Sequence, residues 1–428
     1  MFKTLVNAWK IADLRKKILF TLFIVLLYRV GVAIPIPYLD PVLIESASKL
    51  SGGIFQFLNV LSGTAFSQAT LFALGVSPYI TSSIVMQLLT IAIPALERLA
   101  KDGQDGQKKI TQITRYVTVG LALITAIGYY MLLKNSGVIT DTSFFAAVVI
   151  IACYCAGSSL VMWLAEKVNE HGIGNGISMI LLANIISSLP GMVGTMWNQL
   201  MSGTAAGIII AIVSLILTLG MIVFVVFMHD SERRLPIQYA KKVVGRKQYG
   251  GQNSNLPIKL TMTGVMPVIF ANSIITIPAT VALFFDTPKE GSFWAGFLNL
   301  FNTNHWFYAL LTFLLIIAFA YFYAAISFNP IEIANNLKKN GGFIPGIRPG
   351  RPTSDYITKV TNRIILIGAL MLGVIAVVPM IANMISGNQM GTLAFSGNSI
   401  IIVVGVILET TREIESQMSV RHYKGFLE

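Results

Sequence analysis

The sequence predicts an all-α, polytopic membrane protein, and three observations carry that prediction. Of its 428 residues, 54% are hydrophobic and only 12% charged, about half the ~25% charged share of a soluble domain. Mean hydropathy is +0.71. Apolar runs of spanning length recur along the chain, and a bilayer core asks for ~20 such residues of helix. Lipid offers the backbone no hydrogen bonds, so a spanning segment must satisfy its own.

Taken in order, Met1–Lys17 is basic (Lys3, Lys10, Arg15, Lys16, Lys17) and amphipathic. A first span fits Ile18–Ile34 and closes at Pro35-Ile36-Pro37. No small-residue cleavage site follows, so the run reads as a span and not as a cleavable signal. The stretch Ser51–Pro94 is broken by glycines. It opens with Ser51-Gly52-Gly53, continues as a short segment Ile54–Leu61, breaks at Ser62-Gly63-Thr64, resumes as Ala69–Leu74 and ends at Gly75 before a span from Val76 to Ile93. Ile54–Leu61 is too short to cross and carries Gln56 and Asn59. It is either a segment held inside the bundle, where protein or water can surround irregular backbone, or a loop helix outside the membrane. Glu97–Arg115 reads as a charged loop with a turn-rich tip, Lys101-Asp102-Gly103-Gln104-Asp105-Gly106. Further spans fit Tyr116–Leu133, Phe144–Leu164, a short Ile177–Leu189, Ala205–Met228, Thr263–Phe285, Trp306–Phe328, Ile364–Ile385 and Ser399–Thr411, making ten.

Charge sets the orientation. Of 31 lysines and arginines, 27 fall in one alternating set of loops and termini, three in the other, and Arg29 within the first span. Positive loops stay cytoplasmic, so both termini are expected inside. The net charge of +12 is then a one-sided basic face, open to anionic lipid, RNA or an acidic protein, or a product of topology alone. Two loops on that side, His229–Met262 and Asn329–Thr361, exceed the ~12–15 residues beyond which a connection is usually functional or disordered. The first carries Arg233, Arg234, Lys241, Lys242, Arg246 and Lys247, and its Pro236–Ala240 and Val243-Val244 pieces suit strands of a protruding hairpin. The second reads Gly341-Gly342-Phe343-Ile344-Pro345-Gly346-Ile347-Arg348-Pro349-Gly350-Arg351-Pro352. Its prolines and glycines fix a bend and forbid a helix. Arg348 stands at that tip, either as a bidentate donor for phosphate or carboxylate or as a solvated loop arginine.

Chemical machinery is absent from the pattern. No paired carboxylates lie in the spans, and no His-Glu-x-x-His or Gly-x-Ser-x-Gly occurs, so no enzyme and no cofactor is expected. Gly172-Ile173-Gly174-Asn175-Gly176 follows a membrane helix and reads as a tight turn opening the next one. Cys153 and Cys155 share a helix two residues apart and cannot bridge. The four histidines are scattered, so no metal site is expected. Arg29 is the clear ionisable residue within the spans, expected to snorkel or to pair near a helix end. Gln87, Asn184, Asn272, Ser273 and Asn383 are neutral and suit helix-to-helix bonding. Broken helices also occur in transporters, which keeps an ion-coupled small-solute carrier as the alternative.

Six motifs in order carry a family resemblance: Pro35-Ile36-Pro37; Phe72-Ala73-Leu74-Gly75-Val76-Ser77-Pro78-Tyr79-Ile80; Gln87-Leu88-Leu89-Thr90; Gly172-Ile173-Gly174-Asn175-Gly176-Ile177-Ser178; Arg233-Arg234-Leu235-Pro236-Ile237-Gln238-Tyr239-Ala240; and Pro345-Gly346-Ile347-Arg348-Pro349-Gly350. Over essentially its whole length the chain resembles the SecY family of protein-conducting channel subunits. The resemblance implies ten helices in two inverted pseudo-symmetric halves, 1–190 and 191–428, around a central pore. It implies a pore ring of Val76, Ile80, Ile177, Leu181, Ile269 and Ile402. A plug over 53–66 would include Gly53, Leu61, Gly63 and Phe66. A lateral gate between helices two–three and seven–eight would involve Gln87, Asn272, Ser273 and Ile277. Ribosome or motor docking falls to Arg233, Arg234, Lys241, Lys242, Arg246, Arg348 and Arg351. The implied partners are SecE-like and SecG-like subunits, the SecA motor ATPase, ribosomal RNA, signal-bearing secretory and membrane-protein substrates, and membrane lipids. The implied place is the bacterial plasma membrane, where unfolded chains would cross or move sideways into lipid.

Overall fold

The apolar runs fold as helices that bury one side and leave the other greasy, as segments packed in a bundle within lipid must. In the computed structural model, residues 2–40, 62–63, 65–201, 205–239, 242–244, 247–249, 253–262, 264–284, 293–303, 305–387 and 397–424 are described. The helices are α1 Phe2–Lys10, α2 Ala12–Val32, α3 Ser77–Ala92, α4 Pro94–Lys101, α5 Gly103–Asn135, α6 Phe144–His171, α7 Gly176–Met201 and α8 Ala205–Asp230. After strands β1 Glu232–Tyr239, β2 Lys242–Val244, β3 Lys247–Tyr249 and β4 Asn253–Lys259 come α9 Met266–Ile275, α10 Ile277–Ala282, α11 Phe293–Leu300 and α12 Trp306–Ser327. The chain closes with α13 Pro330–Lys339, β5 Gly342–Phe343, α14 Arg351–Ile385 and α15 Gly397–Lys424.

Among the described residues, six helical runs are long and apolar enough to cross a membrane: α5, α6, α7, α8, α12 continued through α13, and α14. A seventh is counted if α3 and α4, bent by 102° at Ile93, form one span. Ile93 is extended because the following proline disfavours the helical region before it. The other expected spans fall on α2, on α15 and on the broken pair α9–α10, divided at Thr276.

Three expectations need correction. Glu97–Arg115 is not a turn-tipped loop. Pro94–Lys101 is helical and α5 begins at Gly103, with Asp105 in its first turn, where a carboxylate complements the helix dipole. The helix expected to stop at Leu189 runs on to Met201 with Pro190 inside it, so residue 190 is not an element boundary. The bend at 341–352 does not exclude a helix throughout, since Arg351 and Pro352 already open α14, with proline at a first-turn position that needs no N–H partner.

Helices α2, α3, α5, α6 and α7 pack among themselves, and so do α8, α9, α12, α14 and α15. The two groups meet on one side where α3 touches α9 and α5 touches α10, and elsewhere where α7 touches α8 and α15. Neutral polar side chains tie helices within each group. Asn184 Nδ2 on α7 donates to the Tyr28 hydroxyl on α2 at 2.8 Å. Ser82 on α3 donates to the Thr114 carbonyl on α5 at 2.8 Å, and Asn398 Nδ2 on α15 to Asn272 Oδ1 on α9 at 3.0 Å.

Candidate functional site

The expected ring comes from four helices or their entrances: Val76 and Ile80 at α3, Ile177 and Leu181 at α7, Ile269 on α9 and Ile402 on α15. Four-residue spacing puts each helical pair on one face. All six lie in or against one continuous apolar cluster. Five are at most 8% exposed, and Ile177 is partly buried against them. Asn175 fixes the register of α7, its Oδ1 accepting from the backbone N–H of Ile177 at 3.0 Å and of Ser178 at 3.4 Å. The glycine-rich turn is therefore a helix start, as its composition suggested.

Between α2 and α3 the chain enters the bundle as irregular turns, with Ser62, Gly63, Phe66, Ala69, Phe72 and Ala73 all buried. Polar groups from neighbouring helices satisfy its backbone. The Tyr129 hydroxyl donates to the Phe66 carbonyl, the Tyr154 hydroxyl to the Ala69 carbonyl at 3.2 Å, and Leu71 N to Ile34 O at 3.0 Å. Tyr28 stacks on Phe72 at 5.4 Å. Gly157 on α6 lets this coil pass, because a Cβ there would stand 2.1 Å from the Leu71 carbonyl oxygen. Of the plug positions implied above, Gly63 and Phe66 lie in this buried coil, whereas Gly53 and Leu61 lie outside the described residues. The sequence showed the glycine breaks but not the two tyrosines that pin the coil, since a tyrosine in an apolar run gives no sign of its partner.

Where α3 and α5 face α9 and α10, a cavity of about 350 Å³ is lined by Phe66, Leu74, Pro78, Ile277 and Phe284 among others, with hydroxyls from Ser77, Thr81, Thr125, Ser273, Thr276 and Thr280. Five of these six hydroxyls donate to carbonyls of their own helix, from Thr81 to Ser77 at 3.1 Å to Ser273 to Ile269 at 2.9 Å. Of the expected gate residues, Ser273 and Ile277 line this cavity. Asn272 is fully buried toward α15, and Gln87 lies half-buried on α3.

The two long loops form one body. β1 pairs antiparallel with β4 from Glu232↔Lys259 to Gln238↔Asn253, and β5 of the second loop adds to the other edge of β1 through Gln238↔Phe343. A hairpin was expected, but the main ladder joins the loop's two ends, and β2–β3 forms a smaller hairpin between them. Leu235 and Ile237 point into a core with Ile258, Leu337, Ile344 and Ile357, while Arg233 and Arg234 are exposed. Arg348 and Arg351 are exposed as well. The Arg348 carbonyl accepts from Thr353 at 2.8 Å, which fixes the turn before α14. Lys241 and Arg246 lie outside the described residues, as does the side chain of Lys242.

Known proteins match this arrangement. The SecY family profile matches residues 70–411. A protein translocase subunit SecY of Streptomyces galbus is 44% identical, with all of both chains covered. One from Mycobacterium tuberculosis (strain ATCC 25618 / H37Rv) is 42% identical, again over all of both. A solved protein-conducting channel superposes with a TM-score of 0.66 at 16% identity, covering 94% of this chain and 92% of its own. Sec61 in a canine ribosome-channel complex gives a TM-score of 0.62 at 15% identity, covering 94% and 92%. Full-length identity at this level leaves one assignment, that this multi-pass membrane chain belongs to the SecY family of protein translocase subunits.

Proposed function

We propose that this chain forms the pore of a protein-conducting channel in a bacterial plasma membrane, with both termini cytoplasmic, and that it passes unfolded polypeptides across or releases apolar segments sideways into lipid. The observation that carries this is the single apolar cluster in or against which all six ring residues lie. A conduit for unfolded chains must pass every side chain, so a fixed coordination site would stall it. An aliphatic constriction excludes water and ions by dewetting and offers a passing backbone no strong hydrogen bond. The seal is therefore Val76, Ile80, Ile177, Leu181, Ile269 and Ile402, and the coil entering through Gly63 and Phe66 is part of the plug above it. The seam of α3 and α5 with α9 and α10, holding Ser273 and Ile277, is the lateral exit. The two helix groups act as the moving halves, dividing after Met201 at the end of α7 and not at the expected 190, which lies inside that helix. The sheet formed by the long loops, with Arg233, Arg234, Arg348 and Arg351, docks a ribosome or a SecA motor, and SecE-like and SecG-like subunits complete the assembly. The solute-carrier alternative is set aside, because the chain's family is one of translocase subunits.

The test is resting ion conductance of the purified complex in planar bilayers. Ile80→Asn combined with Ile269→Asn is expected to raise it about tenfold by letting water wet the constriction; an unchanged conductance refutes the seal. Arg348→Glu is expected to cripple precursor uptake into proteoliposomes at an unchanged unfolding midpoint, since the side chain is exposed. Normal uptake would remove Arg348 from docking.

A further inference from the structure

The apolar seal has no use for Arg29, yet this half-buried residue of a membrane span turns one end of its head group inward. It sits in the last turn of α2 and lines a groove of about 520 Å³ with Leu22, Val25, Leu182 and Ile186. Its Nη1 is buried and has no hydrogen-bond partner among the described residues. A buried charge without compensation is costly, so its position calls for a reason.

That atom stands beside the start of the irregular coil. A Cβ built on Gly63 would lie 3.0 Å from Arg29 Nη1 and 2.7 Å from Asn184 Oδ1, and Gly63 has φ +62°, a conformation glycine takes freely. The missing side chain thus opens the Gly63 backbone to two polar heads, one from α2 and one from α7. Asn184 is held in turn by its Nδ2 bond to the Tyr28 hydroxyl, and Tyr28 stacks on Phe72 at the coil's far end. Neighbouring residues of α2 therefore touch both ends of the coil. Within the coil, Phe66 N donates to Ser62 Oγ at 3.0 Å, so Ser62 and Phe66 are tied to each other.

We propose that Arg29, together with Asn184, is a positioning residue that seats the turn at Ser62–Phe66 in its closed place. The proposal deepens the plug assignment made above and rests on it. The low dielectric around the groove strengthens the attraction between the guanidinium and backbone dipoles at Gly63, so removing the charge loosens the turn without opening a cavity in the apolar ring.

The experiment measures resting ion conductance and unfolding midpoint of the purified full-length chain with its co-purifying subunits. The variants are Arg29→Met, Arg29→Lys, Gly63→Ala and a deletion of 53–66. Arg29→Met and Gly63→Ala are expected to raise resting conductance about tenfold, toward the level of the deletion, with Arg29→Lys recovering part of the loss because it keeps the charge. A merely structural arginine would move the midpoint and not the conductance. If the deletion leaks while a folded Arg29→Met stays tight, Arg29 is not the latch. Should Arg29→Met fail to fold, a folded and tight Gly63→Ala overturns the proposal equally, and failure of both variants to fold does so too, since the pair then holds the bundle together. A deletion that does not leak refutes the plug assignment itself.

Discussion

The two places where the helix groups meet are built from different chemistry. At the seam of α3 and α5 with α9 and α10, the lining is apolar or hydroxylic, and five of its six hydroxyls are spent on carbonyls of their own wall. None of the hydrogen bonds donated by Thr81, Thr125, Ser273, Thr276 and Thr280 crosses it. At the other meeting place, α15 extends beyond the bundle to reach α2 and the turn before α7. Glu413 Oε2 there accepts from Gly174 N at 3.0 Å and Glu413 Oε1 from Gln417 Nε2 at 3.1 Å, while Lys17 Nζ donates to Gln417 Oε1 at 3.2 Å. Ala8, Leu14, Ile173 and Ile414 pack beneath. Within the second group, the neighbouring Arg412 binds Asp230 Oδ1 at 2.8 Å and the His229 carbonyl at 2.9 Å, tying the root of the loop sheet to the same helix. Parting the seam gives up only apolar contact, which lipid tails or an apolar guest restore almost in full. Parting the joint gives up charge-assisted hydrogen bonds. The contrast is the one that the proposed exit at the seam requires, a side with little to break facing a side held by polar bonds.

The largest effect is expected from locking the seam. With Cys153 and Cys155 replaced by serine, Thr81→Cys and Thr280→Cys place one thiol on each wall of the cavity. A short, cleavable bifunctional thiol reagent bridging them should abolish precursor uptake into proteoliposomes, and cleavage should restore it. Undiminished uptake with the bridge fully formed would mean that the halves do not separate here.

Much of this contrast was out of reach of the sequence. Apolar runs marked the spans, and the strand expected over Pro236–Ala240 caught the second half of β1, Glu232–Tyr239. The two-residue β5 that joins the loops left no such mark. The helical stretch from Pro94 into α5 was mistaken for a loop, because a solvated helix carries no apolar signal and its glycines look like turns. The short span expected over Ile177–Leu189 stopped before Pro190, although neighbouring groups let membrane helices carry a proline. Arg29 was visible as the one clear ionisable residue in a span, but its neighbours, Gly63 and Asn184, are set by tertiary packing and by no local pattern.

A smaller effect is expected at the joint. Glu413→Ala removes the acceptor for Gly174 N, and hydrogen bonds to charged groups are worth about 1.5–3 kcal/mol. Glu413 is half-buried, so the loss should fall at the lower end of that range and appear as a lowered unfolding midpoint. Glu413→Gln, which keeps an amide oxygen for Gly174, should recover part of it. An unchanged midpoint in the alanine variant would mean that the apolar contact of Ile173 with Ile414 holds this side alone.

The smallest effect is also the sharpest test of the seam's chemistry. Thr81, Thr125 and Thr280 each donate within their own helix, to Ser77, Leu121 and Thr276 at 3.1, 2.8 and 3.1 Å. Valine has the same shape without the hydroxyl and a similar helix propensity. A bond back to the preceding turn adds little stability to a helix and can bend it. Replacing all three by valine should therefore leave the unfolding midpoint and precursor uptake unchanged, each substitution lying within about 0.5 kcal/mol. If the hydroxyls bridge the two walls instead, each loss would be about 1 kcal/mol. The triple variant would then unfold measurably earlier and open more readily, which would end the distinction between a seam without cross-links and a joint built on them.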